Sequence, residues 1–523
     1  MINNMSLEKR KIMKRRLISI LLGITLSLSV TACSTNKGNT SEIEDSVVEQ
    51  EEKTEETNGG SISELKIEGA VYLQLSDEAI TIDGDDATTD SKAAVYVAND
   101  IVYYEEGKDF TYGEGTEEDA HSKEEAEKHT VVHITKPGTY VLSGKLDAGQ
   151  IAVDLGDDAE DDAEAVVTLV LNNVDITCSV APAVIFYNVY ECCSSDEDEA
   201  VKEVDTSKAG ANVLIADGTT NNISGSYVAR IYKSVELNEE GTEVVDSKIL
   251  HKYDAAFYSK MSMNMNGGEL GDGVLKINAE NEGLDSELHL TINGGQIHIV
   301  SGNDGINTNE NKVSVTTVNG GALFIKVDGS TGEGDGIDSN GWLVINGGMV
   351  AASACADSMD AGVDSDKGIH INGGSVIATG NMLDHISESA QDYVVFNFRE
   401  KVKSGEKITL KRGEEELFFT MENGYTYLII SNEFVAKGGT YSLWKDETQL
   451  SVVETKDMGD RMMPPGGFQG GERPEMQEGF EPEKVPDGGR RRPDASGQIN
   501  LEDAVTEFEI KDGGNMFMVV PEK

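Results

Sequence analysis

Asn-Gly-Gly occurs five times in the middle of the chain, starting at Asn266, Asn293, Asn319, Asn346 and Asn372, in steps of 27, 26, 27 and 26 residues. A period this regular marks one structural unit stacked repeatedly, and it restricts the fold more than any other feature. The flanking residues alternate instead of repeating every three or four positions. One residue before each Asn stand Met265, Ile292, Val318, Ile345 and Ile371, and three before it Met263, Leu290, Thr316, Leu343 and Ile369. Four residues after it come Leu270, Ile297, Leu323, Val350 and Val376. Period two on both sides of a Gly-Gly corner reads as strand, bend, strand. The expectation is an all-β chain, a right-handed parallel β-helix whose stacked turns share one core, with the apolar positions above facing inward.

Composition agrees with strands and corners: 56 Gly, 9 Pro and 6% aromatic residues in 523. The 95 acidic against 43 basic residues, a formal charge of −52, exclude a phosphate-neutralising surface and with it nucleic acid as a partner. The termini differ from the body. Lys9, Arg10, Lys11, Lys14, Arg15 and Arg16 precede a largely apolar stretch from Leu17 to Val30, which is shorter than the roughly 18 residues expected of a membrane span. The segment ends Val30-Thr31-Ala32-Cys33 and resembles a bacterial lipoprotein signal. That resemblance implies cleavage before Cys33, lipid modification of Cys33, and a protein held on the outer face of the cytoplasmic membrane by the lipid alone. An ordinary secretory signal cut nearby is the other reading, and both mean export.

The domain organisation expected is a signal over 1–32, an acidic flexible linker over 33–62, the repeat body over 63–383 and a β-rich cap over 384–455. A disordered Gly, Pro, Glu and Arg-rich segment over 456–500 and a terminal strand over 501–523 complete it. Acidic stretches at Asp157–Glu164 and Asp196–Asp205 read as projecting loops. Cys178, Cys192, Cys193 and Cys355 leave two readings open, a disulfide from Cys178 to the adjacent pair or free thiols, and no zinc spacing involves them or the eight His.

A second motif carries the chemistry: Gly283-Leu284-Asp285, Gly305-Ile306-Asn307, Gly336-Ile337-Asp338 and Gly362-Val363-Asp364, in steps of 22, 31 and 26. Glu282, Asp304 and Asp335 precede the first three glycines, and Asp360 lies two residues before the fourth. The aliphatic residue is expected in the core, the glycine at a corner, and the carboxylates outside. Stacked turns would place equivalent carboxylates about 4.8 Å apart, where they repel. A divalent cation relieves that repulsion, and Ca²⁺ suits six to eight oxygens in irregular geometry. Glu282, Asp285, Asp304, Asn307, Asp335, Asp338, Asp360 and Asp364 are the candidate ligands, with Asn303 beside them. Good turn-forming residues alone would also give such triplets. The Asn-Gly-Gly triplets have a structural reading, a corner of positive φ with stacked amides.

The Asn-Gly-Gly turns interleaved with these triplets, together with Asp254-Ala255-Ala256-Phe257-Tyr258-Ser259 and Asp217-Gly218-Thr219-Thr220-Asn221, resemble a clostridial carbohydrate-binding β-helix family. The resemblance covers about residues 165–380 and, more weakly, continues to about 450. It implies an exported, calcium-binding, pectate-lyase-like β-helix that binds cellulose or acidic plant polysaccharide and is not an enzyme. Ala361 before Gly362 and Asn307 in place of Asp depart from the pattern, so not every turn need hold an ion. By the same alternation Trp342 and Phe324 face outward, where their rings would stack on pyranose rings. Two other classes stand against this. One is a calcium-dependent polysaccharide lyase, for which the body offers Lys276, Lys312, Lys326 and Lys367 as bases. The other is a calcium-stiffened adhesin or scaffold.

Overall fold

The computed structural model describes residues 65–455 and 501–520. The signal, Cys33, the linker and the 456–500 segment therefore lie outside the described residues. The chain divides into Met1–Glu68 and Gly69–Lys523; only residues 65–68 of the first unit are described, and all that follows concerns the second. It is almost wholly β, with a single α-helical turn, Lys123–Ala126, among the described residues.

Three parallel stacks of strands organise it. The first contains Ala211–Ile215, Met263–Gly267, His289–Ile292, Val315–Val318, Trp342–Ile345 and Ile369–Ile371. The second contains Thr220–Gly225, Val274–Ala279, Gln296–Ser301, Ala322–Val327, Met349–Ser353 and Ser375–Gly380. The third runs from Thr130–Ile134 through Gly149–Asp154, Val184–Asn188, Ala255–Ser259 and Glu282–Ser286 to Ile306–Thr308. In each stack a strand pairs with its counterpart from the next repeat, so identical motif positions lie over one another. Met265, Ile292 and Ile345 from the first stack, Ile297 and Leu323 from the second, and Leu284, Ile306 and Ile337 from the third join one buried core. Each such side chain contributes about 1.5–3 kcal/mol on leaving water.

The glycines have two different jobs. The second glycine of four triplets takes positive φ: Gly295, Gly321, Gly348 and Gly374, at +84°, +79°, +76° and +85°, a region other residues avoid. In the Gly-aliphatic-Asp motif the reason is close approach. A Cβ at Gly283, Gly305 or Gly336 would stand 2.5, 2.6 or 2.3 Å from the carbonyl oxygen of the equivalent glycine in the next repeat. None of these is in the left-handed region, so the corner expected from sequence is a contact requirement instead.

Leu270 corrects the sequence reading. It was expected in the core, yet it is 78% exposed. The register pairs Leu275, not Leu270, with Ile297, because residues 269–273 are an insertion after the first triplet. Within the Asn-Gly-Gly repeats the shortest path between register partners is 22 residues, as from Leu275 to Ile297 or Leu284 to Ile306. Each repeat then adds four or five residues at one of three corners: after Asn266, after Asn307, or, in two successive repeats, before Asp335 and before Asp360. The even 26–27 step of Asn-Gly-Gly and the uneven steps of the second motif record the same insertions between different landmarks.

After Gly380 the pairing becomes mixed, with Tyr393–Val402 parallel to Gly514–Val520 and the other pairs antiparallel. Tyr425–Ser431 runs against Ser375–Gly380 and closes the second stack, which leaves no parallel edge there for another chain. Tyr393–Val402, Gly514–Val520 and Ser451–Thr455 extend that sheet. Upstream, Val228–Leu237 and Val244–Tyr253 leave the stacks as an antiparallel hairpin that returns directly to Asp254.

Leu275→Ala is expected to cost about 2–5 kcal/mol in denaturant unfolding, as for a buried leucine. Leu270→Ala is expected to stay within about 0.5 kcal/mol. Equal costs would contradict the inserted loop.

Candidate metal centre

The third stack gathers acids at one point. Register pairs Ala255 with Glu282 and Tyr258 with Asp285, then Asp285 with Asn307. This brings Asp254, Glu282 and Asp285 together, with ligand oxygens within 4.8 Å of one another. They are 8%, 5% and 0% exposed. The carboxylates expected outside are thus inside here, because the strand carrying them lies between neighbours above and below. Leu284, Ile306, Ile337 and Val363 do fill the core, each at 0% exposure.

The hydrogen bonding at this cluster is incomplete. Asn307 Nδ2 donates to Glu282 Oε1 at 3.1 Å, and Asn309 Nδ2 donates to both oxygens of Asp285 at 3.0 Å. Glu282 Oε2 and Asn307 Oδ1 are buried with no partner. A buried acceptor without a donor costs about 1–3 kcal/mol. One cation is present: Lys252 Nζ lies 2.5 Å from Asp254 Oδ2. Burial pulls the Lys252 pKa down, but Asp254, Glu282 and Asp285 outweigh it and the net shift is upward. Burial, and then the charges of Asp285 and Asp254, push Glu282 well above the carboxylate range. Burial, then Glu287 and Asp254, do the same to Asp285. Several mutually repelling oxygen ligands, two of the surrounding oxygens unsatisfied and no sulfur or imidazole among them, fit a hard divalent cation.

The remaining candidates are arranged differently. Asp304 Oδ1 accepts the backbone N–H of Asp335 at 2.7 Å, and Asp335 Oδ1 accepts that of Ala361 at 2.5 Å. Asp360 Oδ2 accepts the N–H of Gly334 at 2.6 Å. These carboxylates therefore tie one repeat to the next by accepting backbone N–H groups across it. They still crowd. Burial, followed by neighbouring carboxylates, raises Asp335 to about 10, chiefly through Asp364, and puts Asp338 well above its usual value, chiefly through Asp304. Asp304 and Asp364 rise to about 7, again mainly by burial, with Asp384 the main charge on Asp364. Asn303 is half-buried at the same corner.

Asp254 and Lys252 were missed as site residues. Asp254 precedes a strand without glycine, so it lacks the motif's spelling; its signal was the Asp254-to-Ser259 segment, which pairs with Glu282–Ser286. The aromatic candidates do not form one platform. Trp342 carries the Lys367 ammonium 4.1 Å over its ring, and Phe324 stacks on His298 at 4.6 Å in the second stack. The four candidate bases are also apart from the acidic trio: Lys312 pairs with Glu197 at 3.3 Å and Lys326 with Glu422 at 2.9 Å, Lys367 donates to the Lys312 carbonyl at 2.7 Å, and Lys276 is exposed on the second stack. All four described cysteines are free thiols; Cys178 and Cys355 are buried, and the Cys192 and Cys193 sulfurs lie 3.4 Å apart.

A family model described as "Carbohydrate-binding domain-containing protein" matches residues 128–443. No curated protein matches the chain. A solved structure of a polysaccharide lyase-like protein from C. thermocellum, a gadolinium derivative, aligns at 23% identity over 50% of this chain and 82% of its own, with a TM-score of 0.29. No shared fold is inferred at that score.

A carboxyl whose pKa is raised by folding is harmless below its unfolded value, near 4, and costs stability as pH climbs toward its folded value. Without divalent cation, the unfolding midpoint should therefore fall between about pH 4 and about pH 7, where Asp304 and Asp364 are ionised in the unfolded chain but still protonated in the folded one. A midpoint rising over that interval would contradict the raised values.

Proposed function

Because the chain belongs to the family of carbohydrate-binding domain-containing proteins, we propose that it is an exported polysaccharide-binding protein built on a right-handed parallel β-helix and stiffened by calcium. The three parallel stacks, each pairing one repeat with the next, support the helix. Calcium is carried by one observation, the unpartnered Glu282 Oε2 inside a buried trio of carboxylates. Asp254, Glu282 and Asp285 would hold the ion, with Asn307 Oδ1 completing the oxygen set. Bound there, it would supply charge neutralisation and lock adjacent repeats together. The burial of the trio favours a structural ion over one shared with a uronate of the glycan.

Export and a lipid at Cys33 rest on the leader sequence. Plant cell-wall polysaccharide, cellulose or a polygalacturonate-like chain, is the proposed partner class on the strength of the motif resemblance. Binding is preferred to lyase chemistry because the amine at the acidic trio, Lys252, is held protonated by its neighbours, whereas proton abstraction needs a free base.

Calcium at about one hundred times its Kd should stabilise the protein by about 2.7 kcal/mol. Glu282→Gln should raise the unfolding midpoint in chelator and lose most of that calcium shift. An unchanged calcium response would remove Glu282 from the site. A glycan array with and without chelator reads the partner class; retention of proteins but no glycan would favour the adhesin. Growth of unsaturated-product absorbance on incubation with pectate and Ca²⁺ would make the protein a lyase.

A further inference from the structure

The outer edge of the first stack carries a continuous amide ladder. Asn293 Nδ2 donates to Asn266 Oδ1 at 3.0 Å, Asn319 to Asn293 at 3.0 Å, Asn346 to Asn319 at 3.0 Å and Asn372 to Asn346 at 2.9 Å. Each interior amide, Asn293, Asn319 and Asn346, uses one donor and one lone pair along the ladder. The second N–H and lone pair of Asn319 and Asn346 remain for a ligand, and both residues are exposed.

The ladder forms one side of a groove of about 620 Å³. Thr291, Thr317 and Val344 floor it, successive partners in one column of the outer face. The segment from Lys202 to Ser207 makes the opposite wall. That wall is anchored: Thr206 Oγ1 donates to Asn264 Oδ1 and contacts Thr291 Oγ1, both at 2.7 Å, and Asn264 Nδ2 donates to the Thr206 carbonyl at 2.7 Å. An acidic insertion that reads from sequence as a projecting loop is therefore folded back over the sheet.

We propose that this groove is the polysaccharide site, and that it takes an extended, uncharged glycan chain laid along the stacking direction. The inference rests on the polysaccharide-binding reading above and adds its place and ligand class. The four ladder steps from Asn266 to Asn372 advance about 4.8 Å each, close to the advance of one pyranose residue in an extended chain, so successive sugars meet equivalent amides. Sugar hydroxyls both donate and accept, as the amides and threonines do. The wall bears Glu203 and Asp205 against the single cation Lys202, which pairs with Glu203 at 4.0 Å. A polyuronate would meet like charge there. The Trp342 ring, by contrast, is already covered by Lys367.

Titration calorimetry with cellohexaose and with hexagalacturonate tests this on the whole protein and on two groove variants, with Trp342→Ala as a third for comparison. Ser207→Trp fills the groove from its exposed wall without touching the ladder, and Asn319→Ala removes one rung; unfolding midpoints check that each folds. The expected result is cellohexaose binding that weakens about ten-fold or more in both variants. Cellohexaose binding that survives Ser207→Trp but is lost in Trp342→Ala overturns the groove and leaves the polysaccharide reading standing. Hexagalacturonate binding that Ser207→Trp abolishes overturns the uncharged class. Absence of binding to either sugar and to a wider glycan array defeats the polysaccharide reading itself.

Discussion

Parallel pairing of each strand with its counterpart one repeat further on is the constraint from which the other features descend. It sets equivalent residues about one strand spacing apart and repeats whatever the motif contains. Where the motif supplies an aliphatic side chain, repetition builds a core; Leu284, Ile306 and Ile337 are such a column. Where it supplies an amide, repetition builds a ladder whose donors and acceptors match. Where it supplies a carboxylate, repetition builds repulsion, which the fold must relieve by backbone donors, by protonation or by a cation.

The first two outcomes occur among the acids of the third stack and its corners, and one acid has neither in full. Asp304 and Asp335 find backbone N–H groups in the next repeat. Asp364 and Asp384 lie together so that burial and mutual charge favour a shared proton. Glu282 finds neither in full and leaves an oxygen unpartnered. The distinction comes from burial and from which residue stands opposite in the register, not from the acids themselves.

The insertions explain why the repeat tolerates irregularity. Four or five extra residues at a corner leave the strands' register unchanged, since a loop on the surface costs little entropy per added residue. They also differ in consequence. The loop after Asn266 only exposes Leu270, whereas the hairpin ending at Tyr253 delivers Lys252 and Asp254 to the acidic trio and the 202–207 segment walls a groove.

The sequence by itself determined the strand character, the inward set around the Asn-Gly-Gly triplets apart from Leu270, and the stacked amides, because alternation and a fixed period are local properties written in the order of residues. It also identified Glu282 and Asp285 as chemically unusual. Only the tertiary structure decided that Leu275 and not Leu270 is core, that the acids are sunk instead of outside, and that Asp254 joins them. It likewise decided that Lys367 covers Trp342 and that an acidic loop lies over the first stack. Each of these depends on which residue faces which across a repeat, and a chain with insertions at changing corners does not declare that register until it is folded.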